Sequence, residues 1–417
     1  MAKIKPFKAI RPRADLVHRV ASLPYDVLSV REARKIIEIN PYSFLRVEKS
    51  EAEFAEEVSV HDRRVYERAR ENLDRMIKDG ILIQDPKPCL YIYRQIMEGR
   101  SQTGLVACFS IDDYLNGLIK RHELTRADKE LERVYHIDLC DANTGPVFLV
   151  YPVCEDIDRL VKGWASSNPP LYDFTSEDGV RHSVWVIDDD KVIDKIVELF
   201  KGVSSIYIAD GHHRCAAGVK VGLERRRSKP NYTGEEGFNY FLGVVFPHTD
   251  VYIMEYNRLV RDLNGLSEDE FLSRVKENFY VEDLGGGSTY RPEGEHIFGM
   301  YFKGRWFKLI PKPGTFDDND PVGRLDANIL QENLLRPILG IEDPRTDKRI
   351  DFVGGIKGLG ELCRRVDSGE MAVAFSLYPT TIESIMAVSD AGKVMPPKST
   401  WFEPKLRSGL FVHRLTG

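Results

Sequence analysis

The stretch SSIYIADGHHRCAAG, Ser204 to Gly218, leaves the chain few ways to fold. Ser205 to Ala209 is an apolar run of strand length, and Arg214 to Glu224 has helical spacing with small residues at Ala216, Ala217 and Gly218 that allow close packing. Asp210 and Gly211 are then a strand-to-helix turn. A helix that starts there points unpaired backbone N–H groups and the positive end of its dipole past the end of the strand, which favours an anion. Gly211 permits close approach of that anion. Arg214 adds a planar fork suited to phosphate oxygens, and His212 and His213 donate hydrogen bonds or move protons. Asp210 serves as a helix cap, a Mg²⁺ ligand or the group that orients a histidine. The plainer alternative is that Asp210 only caps and the histidines are ordinary surface residues. Zinc is a poor fit, because adjacent histidines at a helix start diverge and no His or Cys follows at i+4.

A chain of 417 residues exceeds one ordinary core, so two α/β domains are expected, residues 1–228 and 238–417. The Gly- and Pro-containing RSKPNYTGEEG, Arg227 to Gly237, is the linker between them. Strands and helices alternate irregularly, which predicts mixed sheets of an α/β (α+β) kind rather than a strict βαβ repeat. LYIYRQIM and TGLVACFSI are joined by EGRSQ as a hairpin. Helices are expected over 155–165, 190–200, 267–278, 325–336, 357–368 and 380–389, with a further one from Thr125, where Thr125 and Asp128 stand at capping-box spacing.

With 59 Lys and Arg against 65 Asp and Glu, the net charge of −6 argues against nucleic acid as the main partner. The one basic run, Arg225 to Arg227, is expected to be a solvated helix end. No apolar stretch is long enough for a membrane span, and the start of the chain lacks the apolar core of a secretory signal, so a cytoplasmic protein acting on small molecules, as a monomer or homodimer, is expected. The six cysteines are scattered and form no CxxC pair, which favours buried reduced thiols.

IKRHELTR, residues 119–126, gathers Lys120, Arg121, His122, Glu123 and Arg126. Lysine and arginine neutralise a polyanion. A carboxylate among them suits a general base toward a hydroxyl, or a Mg²⁺ ligand. A solvated charge run at a helix start is the alternative. GKVMPPKST approaches a P-loop but has Pro397 where glycine is required, and proline offers no N–H to a phosphate. What remains is a polar loop whose Lys398, Ser399 and Thr400 are candidate phosphate contacts. Tyr25 and Asp26 in SLPYDVLS precede a helix start at Ser29–Glu32, and Asn143 and Thr144 in DANTGPVF precede an apolar strand. All four are candidate substrate contacts, or simply turn residues.

SLPYDVLS, NPYSFLRV, IKRHELTR, DANTGPVF, YIADGHHR and MPPKSTWFEPKLRSGL, in that order, resemble the domain-of-unknown-function family numbered one thousand and fifteen over nearly the whole chain. The short G-x-x-R helix start also resembles the phosphate-binding turn of the wider ParB and sulfiredoxin-like superfamily. This implies a ParB/sulfiredoxin-like first domain packed on a second α/β domain. The superfamily includes free-serine kinases, and full-length relatives are understood to use pyrophosphate as phosphoryl donor to L-serine. The resemblance then implies that Asp210, Gly211, His212, His213 and Arg214 hold the donor phosphates. It makes Glu123 the base for the serine hydroxyl, with Lys120, Arg121 and His122 beside it. Sulfiredoxins place a cysteine after the turn glycine, where this chain has His212, so sulfinic-acid repair is not expected. Partition proteins follow the turn with a helix-turn-helix reader, which is lacking here.

Together these features predict a small-molecule kinase with Asp210 and Glu123 as Mg²⁺ ligands, and the resemblance implies that it moves a phosphoryl group from pyrophosphate, or from ATP or ADP, to free L-serine. Glu123, His122, Asp210 and His213 are the candidate catalytic groups. The rival is a nucleotide-gated regulatory module of the ParB-like type, with a small-molecule hydrolase third.

Overall fold

The hairpin Leu90–Met97 and Arg100–Ser110 turns through two residues, Glu98 and Gly99, at φ 50 and 78. A two-residue connection with both φ positive matches the natural strand twist, so the expected EGRSQ loop is shorter than its polar residues suggested. This hairpin sits in a nine-stranded mixed sheet in the computed structural model, which describes residues 1–55 and 58–416. From one edge the order runs Ile119–Lys120, Ile206–Asp210, Val147–Tyr151, Tyr240–Pro247, then the hairpin, Arg181–Ile187 and Tyr172–Thr175. Ile4–Lys5 also pairs with Arg100–Ser110. Ile206–Asp210 is parallel to Ile119–Lys120 and antiparallel to Val147–Tyr151. The Lys120 and Asp210 ends of those strands therefore point the same way, which brings the IKRHELTR segment beside the DGHHR turn.

The core under this sheet is built from Ile92, Leu105, Phe109, Leu149, Trp185, Ile196, Phe200, Ile208, Val219 and Phe241, all buried. The apolar residues of Glu155–Ser167 and Asp190–Lys201 pack against it, as their helical spacing predicts. Helix Val30–Ile39 opens with the anticipated capping box between Ser29 and Glu32. Helix Ala127–Cys140 does not. Arg126 stands at its cap without a side-chain bond, and Thr125 donates to Glu130 instead. The Arg225–Arg227 run is likewise more than a solvated end. Arg225 pairs with Asp138 and Asp141, and Arg226 grips the Asp112 carboxylate at 2.6 and 2.8 Å.

The chain divides into two compact units, Met1–Val251 with Pro404–Gly417, and Tyr252–Glu403. The division falls after Val251 rather than in the RSKPNYTGEEG segment, and the chain crosses it a second time. Lys3 and Lys5 both bind Glu235 of that segment, which ties it into the first unit. The second unit has a six-stranded antiparallel sheet in the order Phe279–Gly285, Arg305–Pro311, Phe298–Phe302, Val373–Ser376, Tyr256–Val260, Ile350–Gly354. Helix Glu268–Asn278 and the segment Asp326–Leu335 supply Phe271, Ile329 and Leu334 to its core. Both units are α/β with mixed or antiparallel sheets. The four cysteines Cys89, Cys108, Cys140 and Cys215 are buried and free, and Cys154 and Cys363 are half-buried and free. Among the described residues, no helix is long and apolar enough to cross a membrane.

Candidate functional site

Gly211 is the first residue of the site to be fixed by geometry. It caps helix His212–Ser228 at φ 91, a left-handed conformation that side chains avoid, and a Cβ there would stand 3.0 Å from Cζ and Nε of Arg214. Helix formation begins two residues earlier than the apolar spacing suggested, so the unpaired amides of its first turn belong to His212, His213 and Arg214. The Asp210 carboxylate accepts the Gly211 amide at 2.8 Å and the Lys405 ammonium at 3.1 Å.

Arg214 is buried. One Nη donates to the Pro146 carbonyl, while Nε has no partner. Burial works against its charge, but Asp26 and Asp210 outweigh that and hold the guanidinium firmly protonated. For Asp210 burial pushes upward, yet Lys405 and then Arg214 hold the carboxyl well below the ordinary range. Arg214 and Lys405 thus share this end of the strand with Asp210, and Asp26 acts on Arg214 as well, a mixed cluster whose two cations can meet a polyanion.

His122 and His212 meet edge to face with ring centroids 4.5 Å apart, and both are buried. His122 meets the Ile208 backbone, while Nε2 of His212 has no hydrogen-bond partner. Burial lowers His122 to about 4 against the pull of Asp210, and burial reinforced by His122 lowers His212 well below its usual value. Both rings are therefore neutral near pH 7. Glu123, its side chain 44% exposed, places a carboxylate oxygen 3.7 Å from Nδ1 of His212. His213 points elsewhere, its Nε2 accepting the Arg126 amide at 3.0 Å, and burial lowers it while Asp26 opposes.

Lys120 lies over the ring of Tyr207, its register partner. Arg121 is exposed and its charge reaches His212. Tyr25 stacks under Arg133 with the guanidinium 3.9 Å from the ring centroid, and the charge of Asp26 is the first acting on both Arg214 and His213. Asn143 accepts the Leu242 amide at 3.3 Å, Thr144 donates to Glu48, and Glu48 lies 3.6 Å from Arg133. These groups line a cavity of about 20 Å³ that includes Gly145 and Arg214, room for about one water.

His122, Glu123, Asp210 and His212 thus meet at the helix start, and Asp26 acts there through its charge on Arg214, whereas Lys120 lies at Tyr207 and His213 turns to Arg126. Lys398, Ser399 and Thr400 belong to the second unit. There Lys398 takes φ 57, its carbonyl accepts Arg258 at 3.1 Å, and the Ser399 hydroxyl donates to Pro396 at 2.7 Å. Sequence reasoning missed Glu48 and Arg133, and met Lys405 only within MPPKSTWFEPKLRSGL, without a role.

The expected Mg²⁺ ligands do not fit a protein-held ion. Asp210 is engaged by Lys405 and by an amide, and Glu123 faces a histidine rather than Asp210. Among the described residues no three of His, Cys, Asp and Glu gather as a metal centre would require.

No curated protein matches the chain. Among solved structures it is similar to a free serine kinase in complex with AMP, at 14% identity and a TM-score of 0.37, covering 75% of this chain and 91% of that one. A conserved hypothetical protein from Pyrococcus furiosus is similar at 14% identity and a TM-score of 0.35, with coverages of 74% and 95%. SbnI with a C-terminal truncation, from Staphylococcus aureus, is similar at 11% identity and a TM-score of 0.37, with coverages of 74% and 87%. At that level of likeness no residue role carries over. The sequence profile of DUF1015, described as a protein of unknown function, matches residues 4–328, and on that match the chain belongs to the DUF1015 family.

Proposed function

We propose that the first unit is a small-molecule kinase, transferring a phosphoryl group from pyrophosphate or a nucleotide to the hydroxyl of free L-serine. The observation that carries this is the pair of buried, unpartnered polar atoms at one helix start, Arg214 Nε and His212 Nε2. Buried polar atoms are normally paired, and a cluster left open beside two cations is what a phosphate-bearing ligand would complete.

In this reading the amides of His212, His213 and Arg214, with the Arg214 and Lys405 side chains, bind the donor. Asp26 offers a carboxylate to an amino-acid ammonium. The hydroxyl proton passes to Glu123 as the oxygen–phosphorus bond forms and the bond to the leaving phosphate breaks, whose charge the same cations meet. His212 and His122, neutral and buried, exclude water and hold Glu123 in place. Serine as acceptor and pyrophosphate as donor rest on the family resemblance; a phosphate clamp beside a carboxylate rests on the geometry.

The test is incubation of the purified protein with L-serine and pyrophosphate, ADP or ATP, with and without Mg²⁺, and mass spectrometry for phosphoserine. Product with at least one donor is expected. Thermal stabilisation by nucleotide without product would favour the regulatory-module reading instead.

A further inference from the structure

Lys405 reaches the Asp210 carboxylate from a segment of the chain 195 residues away. Its side chain is only 12% exposed, and its backbone carbonyl is held by Gln95 at 3.0 Å. The segment that carries it, Pro404–Gly417, is fastened along its length to the first unit. Arg407 grips Asp178 and Ser176, Ser408 exchanges both backbone hydrogen bonds with Ser22, and His413–Arg414 pairs as a strand with Ala142–Asn143. Ser408 also limits the space over Gly145, where a Cβ would stand 3.0 Å from its hydroxyl and 3.8 Å from Arg214. Lys405 and Arg214 both act on the one Asp210 carboxylate, and a buried cation is costly unless an anion shares its space.

We propose that Lys405 is an anion-binding residue of the site and that Asp210 is its resting counter-ion, which a phosphate ligand displaces from the ammonium. The inference rests on the reading of the site as a phosphate clamp but adds a residue and an exchange to it. Lys405, held by its own backbone, swings only its terminal ammonium from carboxylate to phosphate. Asp210 remains satisfied by the Gly211 amide and by the charge of Arg214. The consequence is a competition: the negative charge of Asp210 opposes the ligand, while Lys405 assists it.

This exchange gives the two partners opposite signs. Isothermal calorimetry with inorganic pyrophosphate on the full chain is the test. Lys405→Met is expected to weaken binding by about tenfold to a hundredfold, the range for one lost hydrogen bond to a charged group. Lys405→Arg should restore most of it, and Asp210→Asn should bind pyrophosphate more tightly than the natural protein. The double variant Lys405→Met with Asp210→Asn removes both charges of the pair, and it should bind more tightly than Lys405→Met and more weakly than Asp210→Asn. If the Lys405 and Asp210 variants weaken binding alike, or the double variant binds no more tightly than Lys405→Met, the pair is structural and the proposal falls while the kinase reading stands. If the natural protein binds neither pyrophosphate nor nucleotide, both fall together.

Discussion

The Glu123 carboxylate lies 3.7 Å from Nδ1 of His212, and burial keeps that imidazole neutral. The contact is therefore one between a charge and a dipole. Glu123→Gln keeps the shape and removes the base. Turnover should fall by about a hundredfold to ten-thousandfold, the usual worth of a positioned general base, with pyrophosphate affinity nearly unchanged. Steady-state kinetics beside calorimetry check the separation; equal losses in both would assign Glu123 to binding.

Gly211→Ala tests whether the turn positions Arg214. The substitution forces a side chain into φ 91 and against the guanidinium, so it should cost roughly 1–3 kcal/mol of stability. Displacing Arg214 should also remove up to about 2–4 kcal/mol of transition-state stabilisation, by analogy with other lost oxyanion donors. Urea denaturation and kcat/KM report the two effects separately.

The first unit should be acid-sensitive. His122, His136 and His413 are lowered to about 4 and His182 to about 3, each chiefly by burial, while the unfolded chain takes up those protons near 6.5. The unfolded state binds more protons in that interval, so stability is full above pH 6.5 and is lost as the pH falls toward 4. Each histidine can contribute on the order of 3 kcal/mol to the loss. His413→Gln keeps a donor toward the Gly237 carbonyl, which His413 Nε2 meets at 3.0 Å, and should flatten the decline measured between pH 7 and 4.5.

Asp326 in the second unit should behave in the opposite sense. Burial raises it to about 7 against the His296 amide, which one carboxylate oxygen accepts at 2.8 Å while the other has no partner. The folded chain holds that proton longer than the unfolded one, so its contribution is complete below about 4 and is lost as the pH rises through 7. Asp326→Asn should stabilise the protein at pH 8 by up to about 4 kcal/mol and lose its advantage near pH 4. Thermal melts at the two pH values decide it.

The turn at Asp210 was legible because local pattern and local chemistry coincide there: an apolar strand, a glycine and small helical residues frame the polar groups. The neighbourhood of His122 and His212 was not. It depends on Ile119–Lys120 running parallel to Ile206–Asp210, a pairing between segments almost ninety residues apart that no periodicity encodes. The RSKPNYTGEEG segment has linker composition, but its Glu235 is bound by two lysines from the start of the chain. The Thr125 box failed for a similar reason, since Glu130, which also binds Lys220, drew the hydroxyl away from its own helix. Arg225 and Arg226 are hidden in the same manner, because carboxylates from distant helices rather than neighbours in sequence receive them.

Pro404–Gly417 follows Tyr252–Glu403 in the chain yet belongs with Met1–Val251. Ribosomes deliver polypeptide in one direction, so the larger unit must wait, its hydrogen-bonding edge at Ala142–Asn143 uncovered, while some one hundred and fifty intervening residues are made. Maturation of the Asp210 neighbourhood is thus a late event of synthesis, and a nascent chain stalled before Lys405 should emerge folded in part and catalytically silent.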